Sequence, residues 1–145
     1  MARWPIRSPR RSWRQPTFFP FADVAARARG QALRVEVRSP RHPTRRYGEV
    51  DSVVAAATLD DADGSLTLFV ANRSTGAAVP LGLEPAGALT GYRVTGHRVL
   101  RGADPDLRNT ADRPDAVQPV EVPAGDPVRL EPVTWNVLRC SRAAD

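Results

Sequence analysis

Glu49 to Asn72, E-V-D-S-V-V-A-A-A-T-L-D-D-A-D-G-S-L-T-L-F-V-A-N, is the stretch whose reading decides the fold class. It reads as two long β-strands joined by an acidic turn. Leu66, Leu68 and Val70 alternate with Thr67, Phe69 and Ala71, the period of two that gives one set of side chains a buried face. Asp60 to Ser65 carries turn chemistry, because Asp side chains satisfy nearby backbone N–H groups and Gly64 accepts a positive φ. A hairpin loop of four to six residues follows. The run Asp61-Ala62-Asp63-Gly64 shares the opening of a calcium loop but lacks its spaced ligands and closing Glu. It is therefore a turn and no metal site.

Around this hairpin the chain is short, 145 residues, and suits one domain with a modest core. Fourteen Pro and ten Gly disfavour long helices and favour short strands with frequent turns. The single cysteine, Cys140, allows no intramolecular disulfide, which agrees with a reducing compartment. No apolar run is long enough to span a membrane. Arg10-Arg11-Ser12-Trp13 faintly matches a twin-arginine export signal, but Arg14, Gln15, Pro16 and Pro20 stand where such a signal needs an apolar core. A cytoplasmic location is expected.

The net charge of +5 suggests nucleic acid until its distribution is read. Twelve of the 21 basic residues fall in residues 1–46, against only Asp23 and Glu36, and the remaining nine face 14 acidic groups. The basicity belongs to the N-terminal third. Every basic residue is Arg, a composition that fits GC-rich coding rather than selection for a phosphate-binding face. Arg10, Arg11, Trp13 and Arg14 could grip phosphates and stack on bases, yet a solvated tail, or a piece of a fold whose remainder is missing, explains them better.

Pro16-Thr17-Phe18-Phe19-Pro20-Phe21 is a dense aromatic patch that leads into an Ala-rich segment ending at Gly30. Pro20 suits a first helical turn and Gly30 a C-cap, so the spacing predicts one short helix over 20–29. From Gln31 the pattern is all β. Leu33, Val35 and Val37 alternate with Arg34, Glu36 and Arg38, and Ser39–Arg46, with two Pro and His42, reads as a loop. Strands are predicted at Ala77–Leu83, Gly91–Leu100 with a bulge at Gly96, Val120–Val122, Val128–Leu130 and Val133–Arg139. Arg101–Pro119 is a long polar loop, and Trp135 a core anchor. Seven or eight strands at this spacing predict an all-β antiparallel sandwich.

The search for chemistry yields no active site. Neither His42 nor His97 has an Asp, Glu or Cys at metal-ligand spacing, so both read as structural or exposed. Cys140 has no partner motif. Gly82, Gly87 and Gly91 are too scattered for a phosphate loop. Asp60, Asp61, Asp63, Asp104, Asp106, Asp112 and Asp115 fall in turns and loops, whereas a hydrolytic pair needs rigid elements at a set separation. No catalytic, cofactor-binding or metal-ligating residue is assigned.

Five segments, in order, resemble the C-terminal part of α-L-arabinofuranosidases of glycoside hydrolase family 51. They are Trp13-Arg14-Gln15-Pro16-Thr17-Phe18-Phe19-Pro20-Phe21, Ala32–Val37, Thr58–Ser74, Asn109–Pro119 and Val133–Arg139. Ile6–Ser12 departs from the family, which has a loop with few Arg there. The resemblance implies a jelly-roll-like sandwich over residues 31–145, preceded by residues 1–30 as a basic tail and the last helix of a (β/α)₈ catalytic barrel. Phe18, Phe19 and Phe21 would then face the barrel. Both catalytic glutamates of the family lie on barrel strands upstream, so no catalytic residue carries over. The family's sandwich also borrows a strand from the far N-terminus of the full enzyme, whose absence would leave an open sheet edge.

The leading expectation is thus the non-catalytic C-terminal domain of an enzyme that removes terminal α-L-arabinofuranosyl residues, from a truncated or split gene and inactive alone. Its partner would be the barrel, in cis or in trans, with arabinose-containing saccharides as the parent's substrates, no cofactor, and a homo-oligomer left open. Two other readings stand beside it. One is a standalone docking or carbohydrate-binding module; the other is a nucleic-acid binder using the Arg-rich tail.

Overall fold

Ten strands and one α-helix make up the computed structural model, which describes residues 12–102 and 104–142. The helix α1 (Phe18–Arg27) precedes β1 (Gln31–Leu33), β2 (Arg41–Thr44), β3 (Gly48–Asp51), β4 (Val53–Leu59) and β5 (Leu66–Asn72). Then come β6 (Val79–Leu81), β7 (Tyr92–Leu100), β8 (Val120–Val122), β9 (Val128–Leu130) and β10 (Thr134–Arg142). Six strands form an antiparallel sheet in the order β1-β4-β5-β10-β7-β8, and β2-β3 and β6-β9 form two ribbons. The result is the all-β sandwich that the alternating pattern predicts.

The Glu49–Asn72 reading holds at its centre. β4 and β5 pair from Val53↔Asn72 to Leu59↔Leu66. The turn between them closes by Asp60 N–H to Ser65 O at 2.9 Å and Gly64 N–H to Asp60 O at 2.8 Å. Asp60 and Asp63 each accept from a backbone N–H two residues on, at 3.0 and 2.8 Å, and Gly64 sits at φ 68°. One expectation fails here. The period of two predicts a single buried face, yet Leu66 through Val70 are all buried. A strand loses its alternation when both faces of its sheet are covered.

The first face is the core. Leu66, Leu68 and Val70 of β5 and Leu138 and Cys140 of β10 pack with Val53 and Ala57 of β4 beneath Val79, Val128 and Leu130 of the β6-β9 ribbon. The second face carries Thr67, Phe69, Val137 and Leu100, all buried, with Trp135 stacked on Phe69 at 6.1 Å between ring centroids. Trp135 is therefore only half-buried and anchors the second face instead of the main core.

Several boundaries move. The helix runs Phe18–Arg27 where spacing predicts 20–29, with Pro16 and Pro20 accommodated at its start and in its first turn. Gly30 serves as the turn into β1: at φ 72°, an added Cβ would stand 2.0 Å from Leu59 O, so the close approach to β4 excludes any other residue. Of the Leu33–Val37 alternation only Leu33, at the end of β1, pairs with β4, and residues 34–40 run on outside any strand. The expected loop at Ser39–Arg46 is in part a hairpin. β2 pairs with β3 from Arg41↔Asp51 to Thr44↔Gly48, and Pro43 is tolerated because each strand of a two-stranded ribbon has a free edge. The bulge lies where Gly96 and Val94 face Arg139 and Cys140, leaving Thr95 as the extra residue.

Leu138 is fully buried at the centre of the core. Leu138→Ala should lower unfolding free energy by about 2–5 kcal/mol in a urea titration, whereas Val54→Ala, on an exposed part of the second face, should cost less than about 1 kcal/mol.

Candidate functional site

The chemistry-bearing residues singled out in the sequence lie apart, each bound into structure. His42 Nδ1 is 3.0 Å from Ser52 Oγ, in the half-buried base of the β2-β3 ribbon. His97 is buried and its Nε2 lies 2.9 Å from Asn136 Oδ1. Cys140 is fully buried, and desolvation pushes its thiol up to about 11, away from the thiolate a nucleophile needs. Hydrogen bonds from Ser65 hold the Asp63 carboxyl below its ordinary range, as a turn residue and not as an acid. Among the described residues, no group of three or more His, Cys, Asp or Glu could hold a metal. The Arg10-Arg11 pair lies outside the described residues.

What stands out instead is α1, which is seated on the sheet through a charge. Asp23, 5% exposed, is the one buried residue of the helix. Its Oδ1 accepts from Arg98 Nε of β7 at 3.0 Å and lies 3.5 Å from Arg27 Nε one turn on. Arg98 in turn reaches Glu121 of β8 at 3.3 Å. The helix is thereby tied to two strands of the second face. Asp23 Oδ2 is buried without a partner among the described residues. An isolated buried carboxylate is costly, so the Arg98 contact is what permits Asp23 there. No sequence motif marked Asp23; its i,i+4 spacing to Phe19 and Arg27 is the only local hint.

A second tie holds the chain ahead of the helix. Asn109, buried in the long loop before β8, donates through Nδ2 to Arg14 O at 2.7 Å and Val117 O at 2.8 Å. Its own backbone carbonyl accepts from Gln15 Nε2 at 2.9 Å. The polar loop predicted at Arg101–Pro119 is therefore a clamp on Arg14 and Gln15.

With Asp23 turned inward, the apolar stripe of the helix turns outward. Phe18, Phe21 and Val24, at helical spacing, are 44%, 80% and 39% exposed. Phe19 differs from its neighbours: it is half-buried, on the same side as Asp23, and meets the Phe18 ring edge-on at 5.7 Å. Arg14 lies over the Phe18 ring, 5.0 Å from its centroid, and Trp13 is exposed beside it in sequence. This is an aromatic surface on a firmly held helix. A polar cleft of about 480 Å³ opens at the C-terminal end of the same helix, lined by Arg27, Arg29, Asp63, Arg98, Glu121 and Arg139. Its charges are of both signs and largely matched. The arrangement can bind a surface; it holds no acid–base or nucleophile pair.

Comparison with known proteins gives one consistent result. The family model of the alpha-L-arabinofuranosidase C-terminal domain matches residues 3–141. An intracellular exo-alpha-(1->5)-L-arabinofuranosidase of Streptomyces lividans is 41% identical over 140 residues, covering 92% of this chain and 21% of the relative. One of the same name from Bifidobacterium longum is 37% identical over 114 residues, 74% of this chain and 20% of the relative. Among solved structures, a family 51 alpha-L-arabinofuranosidase of Bifidobacterium longum superposes with a TM-score of 0.77 at 30% identity, over 88% of this chain and 26% of that one. The chain spans about a fifth of the length of the curated relatives it matches.

Two outcomes check this geometry. Asp23→Ala leaves Arg98 without its inner counter-charge and should cost about 1–3 kcal/mol; amide exchange should quicken across Phe18–Arg27 and stay slow in β5 and β10. Cys140 has its folded thiol raised from 9.0 to about 11. The unfolded chain then loses that proton first, so stability should fall as pH rises through this window. Cys140→Ala should flatten that part of the stability–pH curve, and native Cys140 should resist thiol reagents at pH 8.

Proposed function

The chain belongs to the alpha-L-arabinofuranosidase C-terminal domain family, and on that premise we propose that it serves as the non-catalytic sandwich on which a (β/α)₈ catalytic barrel is seated. One observation carries this reading: α1 is fixed to the sheet by its polar, inward side and presents Phe18, Phe21 and Val24 outward. A helix needs its apolar stripe covered. A helix with a held inner side and an open apolar side fits one shared between two bodies. Residues 1–30 are then the basic tail with the barrel's last helix, and residues 31–145 the sandwich. The much greater length of the matched arabinofuranosidases supports a further catalytic part.

The parent activity in this reading is hydrolysis of terminal, non-reducing α-L-arabinofuranosyl residues. A retaining mechanism requires two carboxyl groups about 5–5.5 Å apart, and both are assigned to the barrel, none to this chain. The sandwich contributes by burying the outer side of the barrel's last helix, which fixes the strands that carry the glutamates. A cytoplasmic location is supported by the relatives named as intracellular. No helix among the described residues is long and apolar enough to cross a membrane. The barrel joins in cis, as in one continuous enzyme; docking in trans to a separately made barrel rests on the same aromatic stripe.

The test is reconstitution. The purified chain alone should release no p-nitrophenol from p-nitrophenyl α-L-arabinofuranoside. Mixed with a family 51 arabinofuranosidase lacking its own C-terminal domain, it should co-elute with it and raise its activity. Phe21→Asp places a charge in the seam and should weaken that association at least about tenfold. Hydrolysis by the chain alone, or association indifferent to Phe21→Asp, would overturn the proposal.

A further inference from the structure

A cavity of about 250 Å³ lies between the ends of β7, β8 and β9, on the opposite side of the sheet from α1, and takes no part in the seat described above. Its lining includes His97 and Val99 of β7, Val122 of β8, Pro127 ahead of β9, and the charged Arg101 and Glu131. His97 and Val99 are 6% and 4% exposed and form its floor, whereas Arg101 is exposed at its mouth.

The protonation pattern on the floor follows from the hydrogen bonds. Asn136 is fully buried, and its Nδ2 donates to Val70 O at 3.3 Å and Thr134 Oγ1 at 3.0 Å. Both amide hydrogens point that way, so Oδ1 is the atom facing His97 Nε2 at 2.9 Å. Nε2 is therefore the donor, and in the neutral tautomer this selects the lone pair lies on Nδ1. Nδ1 has no partner among the described residues, on a ring that lines the cavity. The cavity thus has the His97 ring and Val99 at its floor and apolar walls at Val122 and Pro127. At its mouth stand Arg101, without a side-chain partner among the described residues, and the pair Arg129 and Glu131, whose Nε and Oε1 are 2.6 Å apart.

We propose that this cavity is a binding site for a single neutral polyhydroxylated ring, a pentose or sugar of similar size. One hydroxyl donates to His97 Nδ1, the C–H face of the ring lies on Val122 and Pro127, and the remaining hydroxyls meet Arg101 and Glu131. An aprotic anion would engage Arg101 and Arg129 alone and bring no hydrogen to Nδ1. A purely apolar ligand leaves Nδ1 without the hydrogen bond that water would give it. The volume is that of about eight waters, room for one such ring with some solvent. With one buried polar contact the expected dissociation constant is on the order of 1–10 mM. The inference rests on the cavity alone and is independent of barrel docking.

The experiment is a two-dimensional ¹H–¹⁵N NMR titration of the full chain with L-arabinose, alongside sodium acetate and 2-propanol as anionic and apolar probes. Arabinose should produce saturable shifts at His97, Val99, Val122 and Gly125 and move the His97 Nδ1 resonance as it accepts a hydrogen bond. Val122→Phe, which fills the space with an apolar side chain, should weaken the response at least tenfold while the β5 and β10 resonances stay in place. Should that variant lose its fold, Arg101→Ala, exposed at the mouth, should weaken binding two- to fivefold. Absence of saturation, shifts centred elsewhere, or equal or tighter response to acetate or 2-propanol would overturn the assignment. The titration involves no barrel, so its failure leaves the docking proposal untouched.

Discussion

The sheet depends on its last strand. β10 lies between β5 and β7, pairing with Leu66–Asn72 on one side and Tyr92–Leu100 on the other. Without it, two long strands would expose their hydrogen-bonding edges, and unpaired backbone groups cannot be buried cheaply. β10 also brings Leu138 and Cys140 to the core and Trp135 and Val137 to the second face. The chain must close a loop of some sixty residues to put β10 beside β5, an entropic cost that grows only slowly with length. Burial on both sides of β10 outweighs it.

Three buried asparagines secure what strand pairing leaves loose. Asn72 donates to Ala77 O, Leu130 O and Glu131 O, joining the end of β5 to the β6-β9 ribbon. Asn136 links β10 to β5 and to His97 of β7. Asn109 clamps the chain ahead of α1. An amide side chain has two donors and an acceptor, and each of these three satisfies both kinds at once. Such fully paired groups fix one arrangement of the layers where apolar packing alone would allow sliding.

The same economy governs the reactive side chains among the described residues. His42 and His97 are committed to hydrogen bonds, Cys140 is desolvated, and the carboxylates Asp60 and Asp63 hold the hairpin turn. What remains unspent is surface: the Phe18, Phe21 and Val24 stripe on one side, and the His97 Nδ1 cavity on the other. The first suits a broad apolar partner and the second a small polar one. Both are recognition chemistry, the kind the proposed seat for a catalytic barrel would use.

The sequence by itself determined the β class, the Glu49–Asn72 hairpin, the strands around Val79, Tyr92–Leu100, Val120, Val128 and Trp135, and the family. Alternation and turn residues act over a few positions, so they are readable locally. It did not reveal that β5 is buried on both faces, that Ser39–Arg46 contributes a strand, or that Trp135 sits on the second face. Those outcomes depend on what covers each surface from far along the chain. Asp23 shows the difference most plainly. Locally it is a polar residue in an Ala-rich helix, and solvent exposure is the natural expectation. Only the fold brings Arg98 to it, 75 positions away, and that ion pair turns the helix so that its carboxylate faces in and Phe18 and Phe21 face out.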